Sequence, residues 1–70
     1  MEFTMNKLIN ELEERLTDQA SAKIVQERFH FDNLGIKKLL DNMVNAQNKE
    51  VFDDNKELLI LDLESLAESL

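Results

Sequence analysis

The sequence predicts a mainly α-helical fold, a small bundle of three to four short helices. Three observations carry that expectation. Apolar residues recur at three- and four-residue spacings along most of the chain. Proline is absent and there is a single glycine among 70 residues. Each periodic run follows a Thr, Ser, Asp or Asn able to cap a helix. One domain, residues 1–70, is expected, and a chain this small buries only about 60% of the surface its unfolded form exposes. With no cysteine for disulfides or thiolate metal sites, oligomerisation or a protein partner is the expected source of further burial.

The first helix is read from Met5, Leu8, Ile9, Leu12 and Leu16, which share one face. Thr4 is its expected N-cap, and Glu11 stands four residues before Arg15 in the favourable order for an ion pair. "TDQAS", residues 17 to 21, is rich in capping side chains, and Ala20, Ile24, Val25 and Phe29 then form a second apolar face. A break at Thr17 or Asp18 is expected, the other solution being one rod of about 26 residues, or ~39 Å at 1.5 Å per residue.

The third helix follows from Ile36, Leu39, Leu40, Met43 and Val44, a complete i, i+3, i+4, i+7, i+8 series. With Asp32 as N-cap, Phe31 and Ile36 would take the two positions of a hydrophobic staple. Gly35 then falls in the first turn, where glycine costs up to about 1 kcal/mol against alanine. A close approach by a neighbouring helix would account for it.

"NAQNKEV" ends that helix, and the rest of the chain reads in two ways. As a helix, Asp54 and Glu57 make a capping-box pattern and Leu59, Leu63, Leu66 and Leu70 an apolar seam. As a β-hairpin at about residues 50–61, "EVF" and "ELLIL" flank the turn-prone "DDNK". Leucine outnumbers β-branched residues in "LLIL", which favours the helix. A helix from Asp62 onward is common to both.

Charge is uneven. The total of -7 divides into -3 over residues 1 to 18, +2 over 19 to 49 and -6 over 50 to 70. A dipolar molecule of this kind favours a basic protein partner over nucleic acid. No run approaches the roughly 18 apolar residues of a membrane span, and the first residues lack the features of a secretory signal, with translation from Met1 or Met5 both fitting. A cytoplasmic location and no membrane contact are the expectations.

Chemistry is sparse. "FHFDNLGIKK", residues 29 to 38, holds the only histidine and the only glycine. His30 and Asp32 supply an imidazole and a carboxylate, yet zinc needs at least a third protein ligand and nucleophilic catalysis an activated Ser, Thr or Cys. Ser21, Ser65 and Ser69 lie in no strand-turn-helix context. No enzymatic activity, cofactor or metal is expected.

Two resemblances test this conclusion. Residues 53–64, "DDNKELLILDLE", resemble a degenerate EF-hand loop, with Asp53, Asn55, Glu57 and Glu64 at ligand positions and Ile60 at the apolar one. Leu58 replaces the glycine of the sharp turn, which removes the expectation of calcium binding. "DNLGIKKLL" is loosely similar to the acyl carrier protein segment in which Leu-Gly precedes the serine that accepts phosphopantetheine. Lys38 takes that serine's place, and Asn42, Asn45 and Asn48 fall where the carrier's second helix needs apolar residues.

The expected function is therefore a small acidic protein-protein interaction module, a regulator or inhibitor of antitoxin-like or phage-type kind, acting as a homodimer on a protein with a basic surface. Its expected interface seam is Leu8, Leu12, Leu16, Leu59, Leu63, Leu66 and Leu70, and its acidic partner surface Glu50, Asp53, Asp54, Glu57, Glu64 and Glu68. The alternative is a small dimeric winged-helix or helix-turn-helix DNA-binding regulator, with residues 50 to 61 as the wing and Arg28, Lys37 and Lys38, with Lys23 nearby, on phosphates.

Overall fold

The computed structural model describes residues 5–69, and 82% of these described residues are helix. There are four helices in the described residues: α1 (Met5–Arg15), α2 (Gln19–Arg28), α3 (Leu34–Val44) and α4 (Lys49–Ser69). Thr4, the expected cap of α1, lies outside the described residues.

Helix α1 buries Leu8, Ile9 and Leu12, and Leu16 just beyond its end is also buried. Glu11 and Arg15 pair at 2.8 Å on the exposed side. The chain breaks where it was expected to, because Asp18 and Ser21 form a capping box: Ser21 N–H donates to Asp18 Oδ1 at 2.8 Å and Asp18 N–H to Ser21 Oγ at 3.0 Å. Two orphan amides are satisfied there and α2 starts afresh. The buried face of α2 is Ala22 and Val25, with Phe29 half-buried; Ala20 and Ile24 point outward, a rotation from the face read in the sequence.

Phe29 and Phe31 pack against the core in an extended five-residue link, their rings tilted with centroids 6.2 Å apart. The cap of α3 is Asn33, not Asp32: its Oδ1 accepts from Ile36 N–H at 3.1 Å. The helix thus starts one residue later, and Ile36 occupies the third helical position, so the staple pairing of Phe31 with Ile36 does not arise. Both contribute to the core directly. Gly35 meets no neighbouring backbone either. A Cβ there would lie 3.1 Å from Asn33 Oδ1 and 3.9 Å from Asp62 Oδ2, so glycine makes room for the cap.

Residues 50–61 are helix, and the hairpin is overturned. Asn48 opens α4 by accepting from Val51 N–H at 2.9 Å, which places Asp54 and Glu57 in the helix interior rather than in a capping box. Phe52, Leu59, Ile60 and Leu63 then fall on one face and are buried, a periodicity of 3.6 that no strand can present to a single core. The "DDNK" stretch sits on the flank of the helix, with Lys49 paired to Asp53 at 3.1 Å and Asn55 Nδ2 donating to Val51 O at 2.8 Å. The segment similar to an EF-hand is likewise helix throughout, so its oxygens do not wrap an ion.

Helix α4 is the spine. It packs against α1 on one side and α3 on the other, and α2 closes against α3. Asn42 Nδ2 donates to Asn55 Oδ1 at 3.3 Å, and Gly35 approaches Asp62, an antiparallel register for α3 and α4. At the far end of α1, Lys56 Nζ donates to Leu16 O at 2.6 Å and Glu13 O at 2.9 Å. Gln19 Nε2 reaches across to Val44 O at 3.1 Å and also to Ala46 O, tying the start of α2 to the end of α3. Leu12, Leu16, Ile36, Leu40, Met43, Leu59 and Leu63 form the fully enclosed centre.

Candidate functional site

The leucines expected to form an interface seam line this core. Leu8, Leu12, Leu16, Leu59 and Leu63 are buried within the single chain, and Leu66 is half-buried against them. The seam closes inside the molecule and is not on its surface. Leu70 lies outside the described residues.

His30 is exposed and borders a shallow cleft with Gln26, Phe29, Phe31, Lys37, Leu40 and Asp41. The lining contains no hydroxyl or thiol for the imidazole to activate. Ser21 is committed to the α2 cap, and Ser69 Oγ donates to Leu66 O at 2.9 Å. No group of three or more His, Cys, Asp or Glu side chains able to hold a metal ion occurs among the described residues.

Glu50, Asp53, Asp54, Glu57, Glu64 and Glu68 are all exposed on α4. At 100° per residue they fall within roughly 100° of arc, on the side of α4 that turns from α1 to solvent. Glu13 of α1 borders the same groove, beside Asp53, Glu57 and Glu64. The two lysines of α4 do not neutralise this sector. Lys49 is held by Asp53, and Lys56 is turned into the α1 carbonyls. Glu50, Asp54, Glu57, Glu64 and Glu68 have no ion-pair partner among the described residues.

Apolar side chains break this charge. Leu61, 53% exposed, stands among the acids, while Leu58 at 51% and Val51 at 39% follow on the edge toward α3. The sequence contains a signal for them: Leu58 and Leu61 fall off the 52, 59, 60, 63 stripe once residues 49 to 69 are taken as one helix. Treating the segment as a possible hairpin hides it. Lys56, which ends α1, has no comparable signal, because its partners are backbone carbonyls about 40 residues away.

The basic residues are dispersed. Arg28 lies toward α1, bordering a groove with Arg15 and Ser21. Lys37 lines the His30 cleft on the α2 side of α3, whereas Lys38, one residue on and about 100° round the helix, is exposed and turned away from that cleft. Without a hairpin the winged-helix arrangement has no wing. Among the described residues no helix is long and apolar enough to cross a membrane. No protein-family model, curated protein or solved structure matches the chain.

Proposed function

We propose that the chain is a small protein-binding module, a regulator or inhibitor of antitoxin-like or phage-type kind in the cytoplasm, which acts by binding a basic partner surface rather than by catalysis. The observation that supports this reading is the acidic sector of α4, where Glu50, Asp54, Glu57, Glu64 and Glu68 are exposed with no ion-pair partner among the described residues and surround the exposed Leu61. Carboxylates of this kind steer a cationic surface and fix its register, each rim pair adding only about 0.2–1 kcal/mol. Burying one leucine adds roughly 1.5–3 kcal/mol. An apolar anchor within a charged rim is the usual anatomy of a transient interface.

Comparative capture from the source cell tests it. The wild-type chain should retain at low salt a protein that is released as salt rises and is not retained by the Glu57→Gln, Glu64→Gln, Glu68→Gln triple variant. Capture that ignores these substitutions would count against the acidic sector. Binding of duplex DNA at low salt, lost in Lys37→Glu, Lys38→Glu, would favour the helix-turn-helix alternative instead.

A further inference from the structure

A second face of the molecule is unpartnered. Leu34 at the start of α3 is 79% exposed, and Leu58, Leu61 and Val51 of α4 are 51%, 53% and 39% exposed. These make four of the five large apolar side chains exposed among the described residues, the fifth being Ile24 on α2. The antiparallel register fixed by Asn42 with Asn55 and Gly35 with Asp62 sets Lys38 level with Leu58 to Asp62, and Leu34 level with Asp62 to Ser65. Lys38 and Asp62 are exposed, and neither has an ion-pair partner among the described residues.

We propose that the α3–α4 face is a homodimer interface, occupied by a second copy of this chain with α3 of each protomer laid over α4 of the other. The two-fold axis runs along the helix pair, in the plane of contact. Levels along the helices are preserved by that rotation. Leu34 therefore meets the partner's Leu61, Lys38 meets the partner's Leu58 and Asp62, and each contact occurs twice.

Charge selects this docking over the other two-fold solution. An axis across the helices would stack α3 on α3, lysine facing lysine, and α4 on α4, acid facing acid. Crossed stacking instead puts the side of α3 that carries Lys38 on the side of α4 that carries Asp62 and, between Leu58 and Leu61 round the helix, Asp54. The α1-side edge of the acidic sector, where Asp53, Glu57 and Glu64 stand beside Glu13, stays open, whereas Leu61 is buried in the dimer, so a second copy and the basic partner compete for that leucine.

Sedimentation equilibrium of the full chain tests the proposal. The wild type should dimerise at micromolar concentration. Leu34→Asp, at a site exposed in the monomer, should weaken association at least about a hundredfold with helical circular dichroism unchanged, since each substitution counts twice. Lys38→Glu alone and Asp62→Lys alone should each weaken it about tenfold or more, because each homodimer then carries two like-charge pairs. An equimolar mixture of those two should recover wild-type association, since every crossed pair in the heterodimer is again opposite. A wild type monomeric up to about 100 μM, a dimer indifferent to Leu34→Asp, or a mixture that fails to recover would each overturn it.

Discussion

Leu58 and Leu59 are adjacent on α4 and have opposite environments: Leu59 is fully buried while Leu58 is 51% exposed, and Leu63 and Leu61 repeat the contrast at 0% and 53%. Residue type is constant across these pairs, so the difference comes from the 3.6-residue period alone. One sector of the helix closes the chain's own core and another faces outward with the same chemistry. The contrast is sharpest in stability. Leu59→Ala should cost about 2–5 kcal/mol, the transfer loss plus the cavity left behind. Leu58→Ala should cost under about 0.5 kcal/mol. Urea unfolding of dilute protein, where association contributes nothing, measures both. Similar costs at the two sites would mean that α4 is not seated as described.

The two lysines of α4 offer the polar version of the same comparison. Lys49 pairs with Asp53 at 3.1 Å, with side chains 83% and 52% exposed, whereas Lys56 crosses to α1 and donates to the carbonyls of Glu13 and Leu16. Those carbonyls belong to the orphan acceptors of a helix C-terminus, and a cation is favoured there by the helix dipole as well. Lys56→Met should cost about 1–2 kcal/mol and Lys49→Met under about 0.5 kcal/mol, compared by urea unfolding. A reversed order would show that the bond between α4 and α1 is incidental to how the helices sit.

Next in size are the caps. Asn48→Ala should cost about 1 kcal/mol, as should Asp18→Ala at the other built corner. Asp54→Ala should be nearly neutral, because Asp54 is an exposed residue inside the helix and not its cap. Amide hydrogen exchange adds the location: losing Asn48 should loosen the first turn of α4 alone.

The sequence was most legible where the local signals agree. Helix α1, helix α3 and the break at Asp18 are each marked by a complete apolar stripe or by capping residues, and the structure follows them. At α3 two neighbouring cap-competent residues, Asp32 and Asn33, compete, and only the geometry of Ile36 N–H decides for Asn33. Over α4 the local signals conflict. "DDNK" favours a turn, and what overrides it is non-local: Phe52, Leu59 and Leu63 must all reach a core built by α1 and α3. The exposed acids could be read directly as a surface. The leucine seam could not be placed, because burial within the chain and burial against another chain ask for the same residues at the same spacing.

Gly35 lies on the border between the buried and exposed sectors, where α3 meets the edge of α4. Its helical position is unfavourable to glycine by up to about 1 kcal/mol, so alanine should stabilise the fold if nothing stands in the way. Asn33 Oδ1 does stand in the way, 3.1 Å from where the Cβ would be, and it is held there by the Ile36 N–H. The cap must shift by a few tenths of an ångström and lose part of its own ~1 kcal/mol. Gly35→Ala is therefore expected to change stability by less than about 0.5 kcal/mol, two opposed effects nearly cancelling. Removing the obstruction separates them. In an Asn33→Gly background, where a glycine cap itself costs only a few tenths of a kcal/mol, Gly35→Ala should become stabilising by up to about 1 kcal/mol. A double-mutant cycle by urea unfolding reads the difference as coupling between the residues. Equal effects in the two backgrounds would show that the glycine serves the approach of Asp62 rather than the cap.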